Sequence, residues 1–136
     1  MKIIISGGRD FTDYEKLKSC CEQVLIFYQG TDEEIEIISG TAKGADSLGA
    51  RFGYEKGFKV TSMPADWEKY GKAAGYKRNT EMAVYAQLVG DDLKAHEVIK
   101  RFQPCLIAFW NGVSKGTSHM IDIARKRGMN VHVIKY

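Results

Sequence analysis

Short apolar runs rich in β-branched residues alternate along the chain with stretches in which apolar residues recur every three or four positions. The first pattern is typical of strands that are covered on both faces, and the second is typical of helices with one buried face. Glycine, proline or polar residues follow the apolar runs, so the strands are short and well bounded. We predict five strands, at residues 2–6, 36–38, 58–63, 105–109 and 131–134.

Helices are predicted between these strands. In the first helix Leu17, Cys21 and Val24 share one face, Thr12 or Asp13 can cap the start, and a glycine at position 30 closes it. The segment after the third strand is expected to be an irregular loop or a short helix, because glycines interrupt its pattern. The other predicted helices cover about residues 46–57, 76–89, 93–102 and 120–127.

Regular alternation of strands and helices over 136 residues predicts one α/β domain that covers residues 1–136. The expected architecture is Rossmann-like: a mostly parallel five-stranded sheet with helices on both faces. In such sheets, ligands bind outside the carboxyl ends of the strands, where the strand order reverses. The loops that follow the strands are therefore the expected location of a site.

Composition and charge narrow the class of protein. Hydrophobic residues make up 44% of the chain, but the apolar runs are much shorter than the roughly 18–20 residues that a membrane span needs. The first residues lack the pattern of a signal peptide, so we predict a cytoplasmic protein with no membrane partner. The three cysteines show no metal-binding spacing, so no metal site is predicted. A net charge of +3 attracts phosphates only mildly and argues against a nucleic-acid partner.

Polar or glycine-rich residues follow four of the predicted strands, and a parallel sheet brings these loops to one edge. Two of them, residues 40–44 and 112–116, lie between a strand and a helix, where backbone amides favour a phosphate. Neither has the spacing of a P-loop or of a dinucleotide-binding fingerprint. We predict ligand contacts from Gly7, Gly8, Arg9, Gly40, Lys43, Gly44, Asp46, Asp66, Trp67, Arg78, Asn79, Gly112, Ser114, Gly116, Thr117 and Ser118.

Specific roles are assigned to three individual side chains and to the hydroxyl groups at the start of the last helix. Arg78 is the best single candidate for contacting a phosphate, because its planar guanidinium group suits two oxygens at once. Asp46 is expected to cap its helix in preference to acting as an acid. Trp67 either stacks on a base or packs onto the core. The hydroxyl groups of Ser114, Thr117 and Ser118 are expected to cap the last helix, to contact a phosphate, or to do both.

Six segments, in the same order along the chain, resemble the SLOG superfamily and in particular its YspA- or YpsA-related branch. They are ISGGRDF at 5–11, SGTAKGAD at 39–46, PADW at 64–67, GKAAG at 71–75, KRN at 77–79 with Met82, and FWNGVSKGT at 109–117. The resemblance covers most of the chain. Residues from about 86 to 103 are predicted to form a helical insertion before the fourth strand.

The resemblance implies a Rossmann-like fold that binds a nucleotide or a derivative such as NAD or ADP-ribose. The superfamily includes the Lonely-guy phosphoribohydrolases, which split the N-glycosidic bond of nucleoside monophosphates, and the DNA-processing protein A, which binds single-stranded DNA. Arg78 and the pair Gly116 and Thr117 match the hydrolase motifs. Asn79 replaces a lysine, and residues 118–120 contain no glutamate where the hydrolases carry one.

The predicted function is binding of a small phosphorylated nucleotide, as a sensor or processing domain without a separate cofactor. The first alternative is an N-glycosidic hydrolase for nucleoside monophosphates or NAD-derived nucleotides, with Arg78 on the phosphate or ribose and a carboxylate from Asp10, Asp46 or Glu81. The second alternative is binding of single-stranded DNA. A homo-oligomer is also predicted, through the apolar residues Tyr85, Leu88, Val89 and Phe102.

Overall fold

A parallel sheet of five strands forms the centre of the computed structural model, which describes residues 1–28, 34–88 and 104–136. The strands are β1 (Lys2–Gly7), β2 (Glu36–Ser39), β3 (Lys59–Ser62), β4 (Cys105–Trp110) and β5 (Asn130–Lys135). They are ordered β3-β2-β1-β4-β5, and every neighbouring pair is parallel. The predicted Rossmann-like α/β class is confirmed.

Helices cover both faces of the sheet. They are α1 (Tyr14–Ile26), α2 (Ala45–Glu55), the short α3 (Trp67–Tyr70), α4 (Ala74–Gln87) and α5 (Lys115–Lys126), and a 3₁₀ turn at Gly71–Ala73 joins α3 to α4. Side chains of α1 and α2 pack in one core cluster, and those of α4 and α5 pack in another. None of these described helices has the length and apolar character to cross a membrane.

The two core clusters follow from the alternation of side chains along the central strands. In β4, Ile107 and Phe109 belong to the cluster under α1 and α2, whereas Leu106 and Ala108 belong to the cluster under α4 and α5. Successive residues of a strand point to opposite faces, so an unbroken apolar run is what a sheet with two covered faces requires. The same rule places Ile3 with the first cluster.

Some element boundaries differ from the predicted ones. Helix α5 begins at Lys115, because Ser114 caps it there, so Gly116 lies in its first turn. Helix α1 ends at Ile26, before the predicted stop at position 30. Position 30 and the predicted helix at 93–102 both lie outside the described residues. Helix α4 begins at Ala74, two residues before the predicted start.

The predicted apolar interface falls only partly on the described residues. Val89 and Phe102 lie outside them. Tyr85 is partly buried against the core, and its hydroxyl donates a hydrogen bond to the Glu36 carboxylate. Leu88, which follows the last turn of α4, is also partly buried. The homo-oligomer stays a prediction.

The strand order reverses beside β1. From β1 the chain continues to β2 and β3 on one side, and it then crosses to β4 and β5 on the other side. The Gly8 amide donates a hydrogen bond of 3.0 Å to the Phe109 carbonyl oxygen, which ties the loop after β1 to the end of β4. The crevice between these two strand ends is the place where sheets of this type bind ligands.

Candidate functional site

A cleft of about 440 Å³ opens at the carboxyl edge of the sheet. Its walls come from the loop after β1, the starts of α2, α3 and α4, and the first turn of α5. The lining residues are Ser6, Gly7, Gly8, Arg9, Asp10, Asp46, Trp67, Lys72, Gly75, Tyr76, Arg78, Asn79, Ser114, Gly116, Thr117 and Met120. Parallel topology therefore brings residues from both halves of the chain to one site.

The wall that follows β4 is a tight turn that starts α5. The Asn111 side-chain oxygen accepts hydrogen bonds from the amides of Val113 and Ser114, both at 2.8 Å. The Ser114 hydroxyl accepts a hydrogen bond from the Thr117 amide at 3.4 Å and caps the helix. Side chains of this turn thus satisfy the amides on either side of the helix start.

Two backbone amides remain at the start of α5, those of Lys115 and Gly116, and neither has an acceptor within the described residues. A Cβ atom placed on Gly116 would meet no atom within 4 Å, so the space over this turn is open. Ser6 lines the same cleft, is 6% exposed, and its hydroxyl has no hydrogen-bond partner among the described residues. Unpaired amides at a helix N-terminus bind phosphate oxygens. The first turn of α5 therefore has the chemistry of an anion site.

The loop from Gly40 to Gly44, which is the other predicted phosphate site, is packed against the protein. Gly44 has a φ of +88°, and a Cβ atom there would overlap the backbone of the loop after β1, with Arg9 atoms at 2.7 Å. A Cβ atom on Gly40 would lie 2.6 Å from both Arg78 and Asp46. Glycine permits these close approaches. This loop therefore positions charged side chains at the cleft. Of the two predicted phosphate loops, the one with open space is the turn at the start of α5.

Asp46 does not cap its helix, so that prediction is wrong. Gly44 is the N-cap of α2, and the Asp46 carboxylate accepts hydrogen bonds from the amides of Gly7 and Ala42, each at 3.3 Å. The residue is only 3% exposed. Burial raises the pKa of its carboxyl group to about 6, although the Arg78 guanidinium and the two amides act in the opposite direction. The cleft lining therefore contains a buried carboxyl group whose pKa is raised.

We expect Asp46 to make the stability of the protein depend on pH. Folding raises its pKa from 3.8 to about 6, so the native state retains a proton that the unfolded chain has already lost, and this contribution to stability falls as the pH rises through that window. The loss amounts to at most about 3 kcal/mol. The free energy of unfolding of the Asp46→Asn variant should therefore rise relative to wild type between about pH 4 and pH 7, measured by urea unfolding. A constant difference across that range would contradict the raised pKa.

Arg78 and Asn79 connect opposite walls of the cleft. Arg78 Nε donates to Asn79 Oδ1 at 3.2 Å, and Arg78 Nη1 donates to the Gly40 carbonyl oxygen. Asn79 is 5% exposed, and its Nδ2 lies 3.2 Å from both the Gly116 carbonyl oxygen and His119 Nδ1. Burial lowers the pKa of His119. The protein thus fixes the orientation of the Arg78 guanidinium, and its plane is set before any ligand binds.

Two exposed aromatic rings line the cleft. Trp67, at the start of α3, is 50% exposed, which argues against the alternative that it packs into the core. Tyr76 in α4 is 43% exposed, and its ring packs against His119 with 4.6 Å between the ring centroids. The Arg9 guanidinium lies over the Trp67 ring, 5.8 Å from its centroid. Exposed rings of this kind are surfaces on which a nucleobase can stack.

The chain shows similarity to one protein family and to one phage protein. The family YAcAr, described as the YspA, cpYpsA-related SLOG family, matches residues 1–70. The gene 61 protein of Mycobacterium phage D29 is 37% identical over 135 residues, which cover 96% of this chain and 93% of that protein. The chain belongs to the YspA, cpYpsA-related SLOG family. The resemblance that the sequence motifs indicate is confirmed.

The predicted ligand contacts of this SLOG domain divide into two groups. Those that line the cleft are Gly7, Gly8, Arg9, Asp46, Trp67, Arg78, Asn79, Ser114, Gly116 and Thr117. Those outside its lining are Gly40, Lys43, Gly44, Asp66, Gly112 and Ser118. Of the predicted catalytic residues, Arg78 and Asp46 line the cleft, whereas Glu81 borders a separate hollow that Arg78 also borders. Within the described residues, no group of three or more His, Cys, Asp or Glu side chains is placed to hold a metal ion.

Several lining residues are absent from the predicted contacts, and sequence signals exist for two of them. Ser6 directly precedes the glycines after β1, and Tyr76 lies two residues before Arg78 at the start of α4. Met120 carries no such signal, because its spacing indicates only a buried helix position. It is 1% exposed and stands three residues after Thr117, where the hydrolases of the SLOG superfamily carry the glutamate.

Proposed function

We propose that this SLOG domain binds a small phosphorylated nucleotide or nucleotide derivative, similar to NAD or ADP-ribose, in the cleft. The observation that carries the proposal is the pair of amides of Lys115 and Gly116, which have no acceptor among the described residues, together with the open space beside Gly116. A phosphate over the first turn of α5 would accept hydrogen bonds from both amides. Membership of the SLOG family supports a nucleotide-related ligand.

The remaining walls of the cleft suit the other parts of such a ligand. The rings of Trp67 and Tyr76 offer stacking surfaces for a base. The Ser6 hydroxyl is a buried polar group whose partner a bound ligand could supply. Binding is favoured over catalysis because Met120 stands at the position of the hydrolase glutamate and cannot exchange a proton.

Gly116→Asp tests the position of the phosphate. A Cβ atom at this position meets no atom within 4 Å, and a negative charge in the first turn of a helix is favourable, so thermal stability should be unchanged or slightly raised. The carboxylate would occupy the anion position. We expect the affinity for AMP and ADP-ribose, measured by titration calorimetry, to fall at least about tenfold.

Val113→Asp is the matched control for that experiment. Val113 is 80% exposed and lies in the same turn outside the cleft lining, so the variant adds the same charge without filling the anion position. Its affinity should change by less than about threefold, because an exposed charge is screened. Equal losses in both variants, or unchanged affinity in Gly116→Asp, would contradict the proposed phosphate position.

A thermal-shift panel tests the proposed function itself. A ligand present at about 100 times its dissociation constant stabilises the native state by roughly 2.7 kcal/mol, so a nucleotide that binds should raise the melting temperature measurably. The panel should contain nucleoside monophosphates, nucleoside diphosphates, ADP-ribose and NAD. Absence of stabilisation by every compound would contradict the proposal.

Asp46 supports a second candidate function, hydrolysis of an N-glycosidic bond. It is a buried carboxyl group in the cleft lining, with a pKa raised to about 6 and with Arg78 close by, which suits a group that must gain and lose a proton. Incubation of stoichiometric protein with AMP and NAD, followed by chromatography of released base, decides between the two functions. Release of base that is lost in Asp46→Asn would favour hydrolysis, and absence of release would leave binding alone.

A further inference from the structure

We propose that the cleft binds two adjacent anionic groups of one ligand, the second facing Arg9 and Arg78, so that nucleotides with a pyrophosphate group bind more tightly than nucleoside monophosphates. The inference rests on the proposed function, since it takes the first turn of α5 as the place of one phosphate. It adds a second anion position, which we call the arginine subsite, formed by the guanidinium groups of Arg9 and Arg78.

Within the part of the chain that the structure describes, Arg9 provides a cation with no acceptor of its own. Its guanidinium group donates no hydrogen bond and forms no ion pair within the described residues, although it lines the cleft and is close enough to Arg78 and Asp46 to affect their pKa values. Its contact is with the Trp67 ring, at 5.8 Å from the centroid. An arginine held at a cleft without a carboxylate partner can bind the two oxygens of a phosphate group.

Arg78 lines the same cleft and has hydrogen-bonding capacity left over. Its Nε and Nη1 bond to Asn79 and to the Gly40 carbonyl, and its Nη2 has no acceptor among the described residues. Burial and the like charge of Arg9 lower the pKa of Arg78, while the Asp46 carboxylate acts in the opposite direction. An anion between the two guanidinium groups would relieve this repulsion.

The carboxylates of the cleft offset these cations only in part. Asp46 is the buried carboxyl group near both arginines, and its raised pKa shows that it is only partly stabilised in the charged form. Asp10, in the loop after β1, accepts a hydrogen bond from the Tyr136 hydroxyl. Lys72 adds a third cation to the lining. The described lining thus carries three cationic side chains against two carboxyl groups, a balance that favours an anion.

The arginine subsite and the α5 turn are one side chain apart. Asn79 accepts a hydrogen bond from Arg78 Nε and donates one to the Gly116 carbonyl oxygen, each at 3.2 Å. Such close neighbours suit two phosphates that share a bridging oxygen. The two phosphates of a 3′,5′-bisphosphate lie on different sides of the ribose, so this arrangement favours a pyrophosphate.

The test compares AMP, ADP and adenosine 3′,5′-bisphosphate by titration calorimetry on wild type, Arg9→Gln and Arg125→Gln. Arg125 is an exposed arginine in the last turn of α5, at the end of the helix away from the cleft, so it controls for loss of one positive charge. Wild type should bind ADP about tenfold or more tightly than AMP, and more tightly than the bisphosphate. In Arg9→Gln the ratio of ADP to AMP affinity should fall to within about threefold, and in Arg125→Gln the ratio should persist.

Distinct outcomes separate this inference from the proposed function. Equal affinities of wild type for AMP and ADP, an unchanged ratio in Arg9→Gln, or tightest binding of the bisphosphate would overturn the adjacent second anion position while nucleotide binding itself stands. Failure of all three nucleotides to bind would overturn both.

Discussion

Replacing Gly44 with alanine should lower the free energy of unfolding by at least about 4 kcal/mol, which is among the largest effects of a single substitution. The backbone at Gly44 has φ +88° and ψ −130°, a region that is essentially restricted to glycine. A Cβ atom would also overlap the Gly8 carbonyl oxygen and lie 2.7 Å from the backbone of Arg9. Both partners are main-chain atoms, so a rotamer change cannot relieve the overlap. Urea unfolding followed by circular dichroism measures the loss.

Gly57→Ala measures the cost of a positive φ without any atomic overlap. Gly57 has a similar φ of +75°, but a Cβ atom there would meet nothing within 4 Å. Its replacement should cost only about 1–2 kcal/mol, the price of the left-handed conformation alone. If Gly44→Ala loses no more stability than Gly57→Ala, the close packing of the Gly40–Gly44 loop on the loop after β1 would be wrong.

Replacing Arg78 with glutamine should lower nucleotide affinity by roughly 100-fold or more, equivalent to about 2.7 kcal/mol. The variant removes the charge that an anion in the cleft would meet, and it leaves the nearby buried Asp46 carboxyl group without its main cation. It also removes the hydrogen bond to the Gly40 carbonyl, so stability should fall by about 1–2 kcal/mol. Calorimetry with ADP and circular dichroism on the same sample measure the two effects separately.

Two neighbouring substitutions identify the cause of that loss. Lys77→Gln removes the same charge from the adjacent residue, whose ammonium group lies 4.4 Å from the centre of the Tyr70 ring and outside the cleft lining, so affinity should change by less than about threefold. Arg78→Lys keeps the positive charge but loses the planar guanidinium group that can bind two oxygens at once, so we expect about a tenfold loss of nucleotide affinity. Similar affinities of Arg78→Gln and Lys77→Gln would exclude Arg78 from the site.

The strands were predictable because their signal is local. Both faces of a central strand are buried in a sheet that is covered on both sides, so an unbroken apolar run such as residues 105–109 predicts such a strand. The structure divides that run between the two core clusters. The boundary of α5 was harder to place. Capping by Ser114 starts the helix five residues before the apolar periodicity becomes visible at Met120.

The two glycine loops show the limit of sequence reasoning at the site. Gly40–Gly44 and Gly112–Gly116 have the same spacing and the same position between strand and helix, so no local rule distinguishes them. What distinguishes them is the tertiary neighbour: the backbone of the loop after β1 lies against Gly44, and open space lies over Gly116. The placement of Glu81 is a similar case. Glu81 lies three residues from Arg78 in the sequence. The Arg78 side chain is long enough to border both hollows, whereas Glu81 borders only the second one, outside the cleft.

The pairing of β1 with β4 constrains when the cleft can exist during synthesis and folding. Ile3 pairs with Cys105, roughly 100 residues later in the chain, and the family match at residues 1–70 ends before Arg78, Asn79 and the α5 turn. Contacts of such high sequence separation form late, because the chain must close a large loop first. A nascent chain that ends before α5 would expose the glycine loop after β1 without the α5 wall of the cleft, which is the proposed phosphate position. A ligand that needs the α5 turn would therefore stabilise only a chain in which β4 has already paired with β1.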